Sequence, residues 1–345
     1  MSQRLSYAST GVDIDQTDDA KRKMAKSMET SDPRVLNRIG AFATLLDASF
    51  PGYDHPVLVH KSEEPGSKQK LAFAHGRHRS VCYDMVNHLI DDIIVMGAAP
   101  VSIQDIIVCG TMDGNIVNDL VDAMADACRL QDCTLTGGET SIQPGVVPDG
   151  LYVLTASVIG VVDKDKIVDG SQIKAGDQVL ALASNGLHTN GYTLVRALLE
   201  QQPNLLERDV EGASFLDAVL KPHTCYFQPL RDLFAAPEFH GMAHITGGGL
   251  QDNLNRVLPT DLNAQLDLNA LEIPAIFRTL RSAGDLDDAD MMRTFNMGAG
   301  MALVIAPEAV EEIIAQLAAK DCRAYRLGEI VPGEQEVEFQ GALAW

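Results

Sequence analysis

Positive charge is scarce in this sequence. Its 345 residues carry 27 lysines and arginines against 48 aspartates and glutamates, a formal net charge of −21. A surface so acidic repels polyphosphate chains, which argues against nucleic-acid binding. Small phosphorylated ligands stay open, because a helix N-terminus, a nest of backbone N–H groups or a bound Mg²⁺ reverses the field locally. Long apolar runs are missing too, and none approaches the ~18–20 residues needed to span a bilayer. The opening Met1-Ser2-Gln3-Arg4-Leu5 lacks the apolar stretch of a secretory signal. No two of the six cysteines form a Cys-x-x-Cys pair. Their spacing speaks against a zinc site or a disulfide framework and for reduced thiols in a cytoplasmic protein. Short-period repeats and low-complexity segments are absent.

What is present is ordinary globular composition at a length that predicts two domains. The first ~45 residues are polar and read as an arm or surface helix. Val57-Leu58-Val59-His60 and Lys70-Leu71-Ala72-Phe73-Ala74 read as strands. Residues 80–96 read as a helix, with Val81, Met85, Leu89 and Ile93 at four-residue spacing and Gly97 as its stop. A strand at 101–108, a helix at 115–130 and a long strand at 151–162 follow. The polar stretch 163–177 marks the domain boundary, giving 1–168 and 169–345. Beyond it, helices are expected near 191–201, 225–234, 249–257 and 308–319, and strands near 178–182, 264–268, 299–305 and 325–331. The connections are too varied for a doubly wound sheet, so the fold class is α+β, with two α/β-layered domains.

Several segments carry candidate chemistry. Lys61-Ser62-Glu63-Glu64-Pro65-Gly66-Ser67-Lys68 follows a strand and resembles a phosphate-holding loop in kind, without the spacing of a Walker A loop. A polar surface turn is the plainer reading. On the 80–96 helix, Asp84, His88 and Asp91 share a stripe at ~100° per residue, with Asp92 beside it. With Asp105 on the next strand, these hard oxygen donors suit Mg²⁺–ATP, whereas a solvated helix face is the bland alternative. Thr136-Gly137-Gly138-Glu139-Thr140 reads as a loop that lets a ligand approach the backbone. In Ser184-Asn185-Gly186-Leu187-His188-Thr189-Asn190-Gly191-Tyr192, His188 is the general acid/base candidate and Asn190 is either a ligand contact or an N-cap. Thr246-Gly247-Gly248-Gly249 sits between a strand and a helix. Its exposed N–H groups make a phosphate site, since three adjacent glycines carry a high entropic cost for a mere turn. Arg293-Thr294-Phe295-Asn296-Met297-Gly298 precedes a strand and fits either close packing or a site.

Taken in order, these runs closely resemble the aminoimidazole ribonucleotide synthetase (phosphoribosylformylglycinamidine cyclo-ligase) family of purine biosynthesis. Tyr7 with Gly11-Val12-Asp13-Ile14-Asp15 belongs to the same pattern, which spans about residues 7–331. The resemblance implies an N-terminal ATP-binding domain that pairs its sheet across a homodimer and a C-terminal α+β domain with Gly-rich phosphate loops. It also implies a ribonucleotide substrate lying between the domains. The expected reaction is an ATP-dependent C–N ring closure. Glu63, Asp84, Asp92 and Asp105 are its expected Mg²⁺ ligands, directly or through water. Ser62, Gly66, Ser67 and Lys68 join them around ATP, Thr246, Gly247, Gly248 and Gly249 hold a phosphate, and His188, Glu139 and Asn190 stand near the reacting amidine. Two departures stand out. The family usually has Gly-Thr-Asp-Gly-Val-Gly-Thr-Lys where this chain has residues 61–68, and Asn-Asp where it has Asp91-Asp92. The alternatives are another ATP-using enzyme of the superfamily with a different phosphate acceptor, or a non-catalytic nucleotide-binding paralogue.

Overall fold

The computed structural model describes residues 14–37 and 39–345, with the side chains of all but 14–19 and 21. The run from Tyr7 to Asp13 therefore lies outside the described residues. Two compact units share the chain: residues up to Ile90 with Pro100–Val161, and Asp91–Ala99 with Val162–Trp345.

The first unit contains α1 (Ile14–Ser27), β1 (Pro56–Glu63), α2 (Lys68–Ala74), most of α3 (His78–Ile94), β2 (Ala99–Cys109), α4 (Gly114–Leu130), β3 (Thr134–Ile142) and β4 (Tyr152–Asp163). Its four strands lie in the order β1-β4-β2-β3, with β2 and β3 parallel. Apolar residues on α3 and α4 form the core. Val81, Met85 and Leu89 of α3 and Val117, Leu120 and Met124 of α4 are all fully buried, at the three- and four-residue spacing of a helix face. Asp113 caps α4 by accepting from the Asn115 N–H at 2.8 Å.

Two local expectations fail here. Residues 68–74 form α2 rather than a strand. A five-residue apolar run carries no decisive period, and Lys, Gln, Leu and Ala all favour helix. The glycine run at 137–138 is strand β3 rather than a loop. A Cβ on Gly138 would collide with the Asp105 carbonyl oxygen, so the missing side chain is what lets β3 lie beside β2.

The second unit adds β5 (Gln178–Ala183), α5 (Tyr192–Gln201), β6 (Asp209–Val210), β7 (Ala213–Ser214), α6 (Phe215–Val219), α7 (Phe227–Leu230), β8 (Phe239–His244) and α8 (Gly249–Leu254). It continues with β9 (Leu262–Asp267), α9 (Ala275–Gly284), α10 (Asp288–Thr294), β10 (Ala299–Ile305), α11 (Val310–Ala318), β11 (Ala324–Pro332) and β12 (Val337–Gln340). Six strands run in the order β12-β9-β11-β5-β10-β8, antiparallel except for the β12–β9 pair. Every residue of β8 and β10 is buried, which explains why the β10 sequence reads as a continuous apolar run rather than an alternating one. The helix expected over 225–234 contracts to the four residues of α7. Pro229 lies inside it and removes a backbone donor. None of the described helices is long and apolar enough to cross a membrane.

Candidate active site

In the first unit the helical stripe is not a solvated face. Asp84 is fully buried, and its Oδ1 accepts a 2.8 Å bond from the Lys68 Nζ, itself fully buried at the start of α2. Burial pulls the Lys68 pKa down while the Asp84 charge pulls it back up. The loop between β1 and α2 is braced by its own polar groups. Glu63 Oε2 lies 3.1 Å from Lys61 Nζ and 4.0 Å from His88 Nε2. Ser62 and Ser157 share a 2.7 Å hydroxyl hydrogen bond, and the Gln69 amide donates to Glu64 Oε2 at 3.1 Å. Gly66 takes a positive φ of 65°, and Ser67 directly precedes the helix.

A cavity of about 600 Å³ opens over the sheet of this unit, lined by Phe42, Thr44, Asp105, Gly137, Gly138 and Glu139 among others. Thr44 ties the 39–44 segment to the sheet by donating to the Thr136 carbonyl at 2.6 Å. Burial pushes the Asp105 carboxyl up to about 7. A cation beside it would remove that penalty, so the donor set fits Mg²⁺ there. Among the described residues, however, Glu63, Asp84 and Asp105 do not gather as a three-ligand cluster. Asp84 is turned toward Lys68, which offsets its charge inside the helical layer.

The second unit assembles a different group. His188, on the loop before α5, holds a positive φ of 58°, a strained backbone for a non-glycine residue. It is fully buried, as is His223 on the loop between α6 and α7, and His244 at the end of β8 is nearly so. The His188 and His223 rings stack with centroids 3.9 Å apart. His223 Nε2 lies 3.1 Å from His244 Nε2. Two carboxylates back this group. Asp92 Oδ1 is 2.7 Å from His244 Nδ1, and Asp91 Oδ2 is 3.3 Å from His223 Nε2. The Tyr226 N–H donates to Asp91 Oδ1 at 2.8 Å, yet desolvation still holds the Asp91 carboxyl well above the usual range. Asp92, expected among metal–ATP ligands, thus sits against His244.

Around this group the glycines make room. A Cβ on Gly300 would strike the Tyr226 hydroxyl and the His188 ring. Ser184 Oγ donates to Asn296 Oδ1 at 3.0 Å, and Asn296 Nδ2 donates to the Gly186 carbonyl at 2.9 Å. These bonds tie the 184–190 loop to the segment before β10. Asn190 is not the cap of α5, a position held by Gly191 at φ 81°. Its Oδ1 instead lies beside Gly247. The triple glycine is less open than its sequence implies. The Gly248 N–H donates to the Arg293 carbonyl and that of Gly249 to the Thr246 carbonyl, both at 3.1 Å. Asn253 Nδ2 binds the Gly247 and Gly249 carbonyls at 3.2 and 2.8 Å, and its Oδ1 accepts from Thr246 Oγ1 at 3.2 Å. Sequence reasoning missed His223 altogether, since a single histidine after Pro222 carries no spacing signal.

Two mixed α/β units with glycine-lined loops place the chain in the AIR synthase related class. The model of that class's N-terminal domain matches residues 58–162, and the model of its C-terminal domain matches residues 174–340. The chain is 40% identical over 339 residues to the phosphoribosylformylglycinamidine cyclo-ligase of Carboxydothermus hydrogenoformans, covering 97% of this chain and 98% of that one. It is 41% identical over 331 residues to the enzyme of the same name from Nitrosospira multiformis, covering 94% and 93%. The chain belongs to the phosphoribosylformylglycinamidine cyclo-ligase family. At the level of fold it also resembles E. coli HypE, with a TM-score of 0.68 and 16% identity over 94% of each chain. The thiamine-monophosphate kinase of Stenotrophomonas maltophilia gives a TM-score of 0.64 at 17% identity, over 95% of this chain and 96% of that one.

Proposed function

We propose that the chain closes the imidazole ring of formylglycinamidine ribonucleotide, using ATP and releasing ADP and phosphate to give aminoimidazole ribonucleotide. The observation that carries this reading is identity of 40–41% along nearly the whole chain to cyclo-ligases. A HypE structure solved with ATP has the same fold, which supports nucleotide use.

The chemistry has a simple logic. An amide oxygen is a poor leaving group, and transfer of the γ-phosphoryl group makes it a good one. An internal nitrogen then attacks that carbon, the C–O bond breaks, and phosphate departs with the oxygen. Bound Mg²⁺ supplies charge neutralisation for the phosphates. In the first unit, Lys68 supplies positive charge while Asp84 fixes its ammonium. Ser62, Gly66 and Ser67 shape the phosphate loop, and Glu63 and Asp105 are the remaining carboxylates for the cation. Glu139 on the cavity wall is the carboxylate offered to the substrate.

In the second unit, His188 moves the proton between the attacking nitrogen and water, with Asn190 orienting the ribonucleotide beside it. Thr246, Gly247, Gly248 and Gly249 line a phosphate pocket. Because the Gly248 and Gly249 N–H groups and the Thr246 hydroxyl have acceptors within the chain, the Gly247 backbone carries more of that contact.

The same reading makes the protein a cytoplasmic homodimer. Leu58 of β1 and Ile106 of β2 support the pairing, since they leave apolar side chains 51% and 43% exposed on strands of the first unit. The direct test supplies ATP, Mg²⁺ and formylglycinamidine ribonucleotide and follows aminoimidazole ribonucleotide with phosphate release. Equimolar product and phosphate are expected. Failure to form the imidazole, with phosphate released only on a different acceptor, would sink the assignment.

A further inference from the structure

We propose that His188, His223 and His244 form a site for a divalent transition metal, best suited to Zn²⁺. Their nearest ring nitrogens all lie within 4.8 Å of one another, and all three residues are buried. The 3.1 Å separation of His223 Nε2 and His244 Nε2 is close to the ~3.3 Å edge of a tetrahedron with Zn–N bonds of ~2.05 Å.

The outer groups are those a metal-binding histidine needs. Asp92 lies 2.7 Å from His244 Nδ1, so this ring donates its Nδ1–H to the carboxylate and turns the Nε2 lone pair inward. Asp91 Oδ2, 3.3 Å from His223 Nε2, places an oxygen beside the same point and offers a fourth ligand. Buried Asp91 and half-buried Asp92 set two carboxyl groups beside the three imidazoles, and a dication there would offset the desolvation of Asp91. Closing the site requires the His188 ring to leave its stack on His223, which is a side-chain rotation. No cysteine takes part, so the ligand set is imidazole and carboxylate, the set favoured by Zn²⁺ over Mg²⁺.

His188 and His244 lie in runs shared with the family pattern, whereas Asp91 stands where the family usually has Asn. Metal binding does not rest on the cyclisation reading and is tested apart from it. With that reading, ligation of His188 ties up a proposed proton carrier, and Zn²⁺ suppresses turnover.

The experiment uses the full, tag-free chain after chelator treatment. Titration with Co²⁺ should produce one equivalent of the visible d–d absorption of a tetrahedral centre, displaced by Zn²⁺ and indifferent to Mg²⁺. Elemental analysis after dialysis against Zn²⁺ should retain one Zn²⁺ per chain. His223→Asn removes the Nε2 ligand while keeping a short polar side chain, and should weaken Zn²⁺ binding by about 100-fold or more. Asp91→Asn, which restores the usual residue, should weaken it by about 10-fold. Thermal unfolding confirms that each variant is folded, and if His223→Asn fails this check the Asp91→Asn comparison decides. Absence of the Co²⁺ band, or equal Zn²⁺ affinity in wild type and the folded variants, overturns the proposal.

Discussion

Single residues carry the sharpest energetic consequences in the first unit. Lys68 and Asp84 are both fully buried and bonded at 2.8 Å, so removing either charge takes from the other its opposite charge in a dry interior. Lys68→Met should therefore lower the unfolding free energy by about 3–5 kcal/mol in urea titrations. Replacing both partners with apolar residues should recover part of that loss, because no orphan charge remains. A single variant of wild-type stability would show that the pair is not dry. Asp105 tests the pH dependence. Its folded pKa is raised to about 7 from 3.8, so between about pH 4 and 7 the native chain binds a proton that the unfolded chain has released. Stability from this group is therefore lost as pH rises through that window, by at most about 4 kcal/mol. In the metal-free protein, Asp105→Asn should be more stable than wild type near pH 8. That advantage should shrink toward pH 5; a constant difference would place the titration elsewhere.

At the scale of elements, the register of β3 against β2 hangs on one missing side chain. Gly138 faces Asp105 across the parallel pair, and a Cβ there would collide with its carbonyl oxygen. Gly138→Ala should push the strands apart and cost about 3 kcal/mol, read as a lower thermal midpoint. An unchanged midpoint would show that the pair relaxes freely. The same position shows how far the sequence can be read. Two glycines in a row announce a close approach, but not whether the approaching atom belongs to a ligand or to a neighbouring strand. Long periodic elements were legible: α3, α4, β4, β5 and β10 fall within about two residues of their expected bounds. Short ones were not. The α2 run has no length to reveal its period, and α9, α10 and β12 went unread. Motifs drew attention to His188, which lies in the histidine group of the second unit, and to the triple glycine, two of whose N–H groups turn to carbonyls of the chain itself. The candidate site was illegible where tertiary structure alone builds it. His223 meets His244 and Asp91 only because separate loops and strands converge. Cysteine spacing, the usual sign of zinc in a sequence, is silent about a cluster of histidines.

For the molecule as a whole, charge and assembly pull in opposite directions. Each 37.2 kDa chain carries a formal −21, so the proposed homodimer would bring two strongly acidic bodies together. What favours association is apolar surface such as Leu58 and Ile106 on the strands of the first unit, whose burial is insensitive to salt. Repulsion between the chains, by contrast, is screened over a Debye length that falls from ~30 Å at 0.01 M salt to ~10 Å at 0.1 M. The dimer should therefore tighten as salt is added, the reverse of an assembly held by surface ion pairs. Sedimentation velocity on dilute protein should show the monomer fraction shrinking as NaCl rises from about 10 to 150 mM. Leu58→Asp should shift the equilibrium to monomer at both concentrations by placing two further charges in the apolar contact. A dimer that dissociates with added salt would mean that opposite charges hold it. A Leu58→Asp chain that still dimerises fully would move the contact away from the strand face.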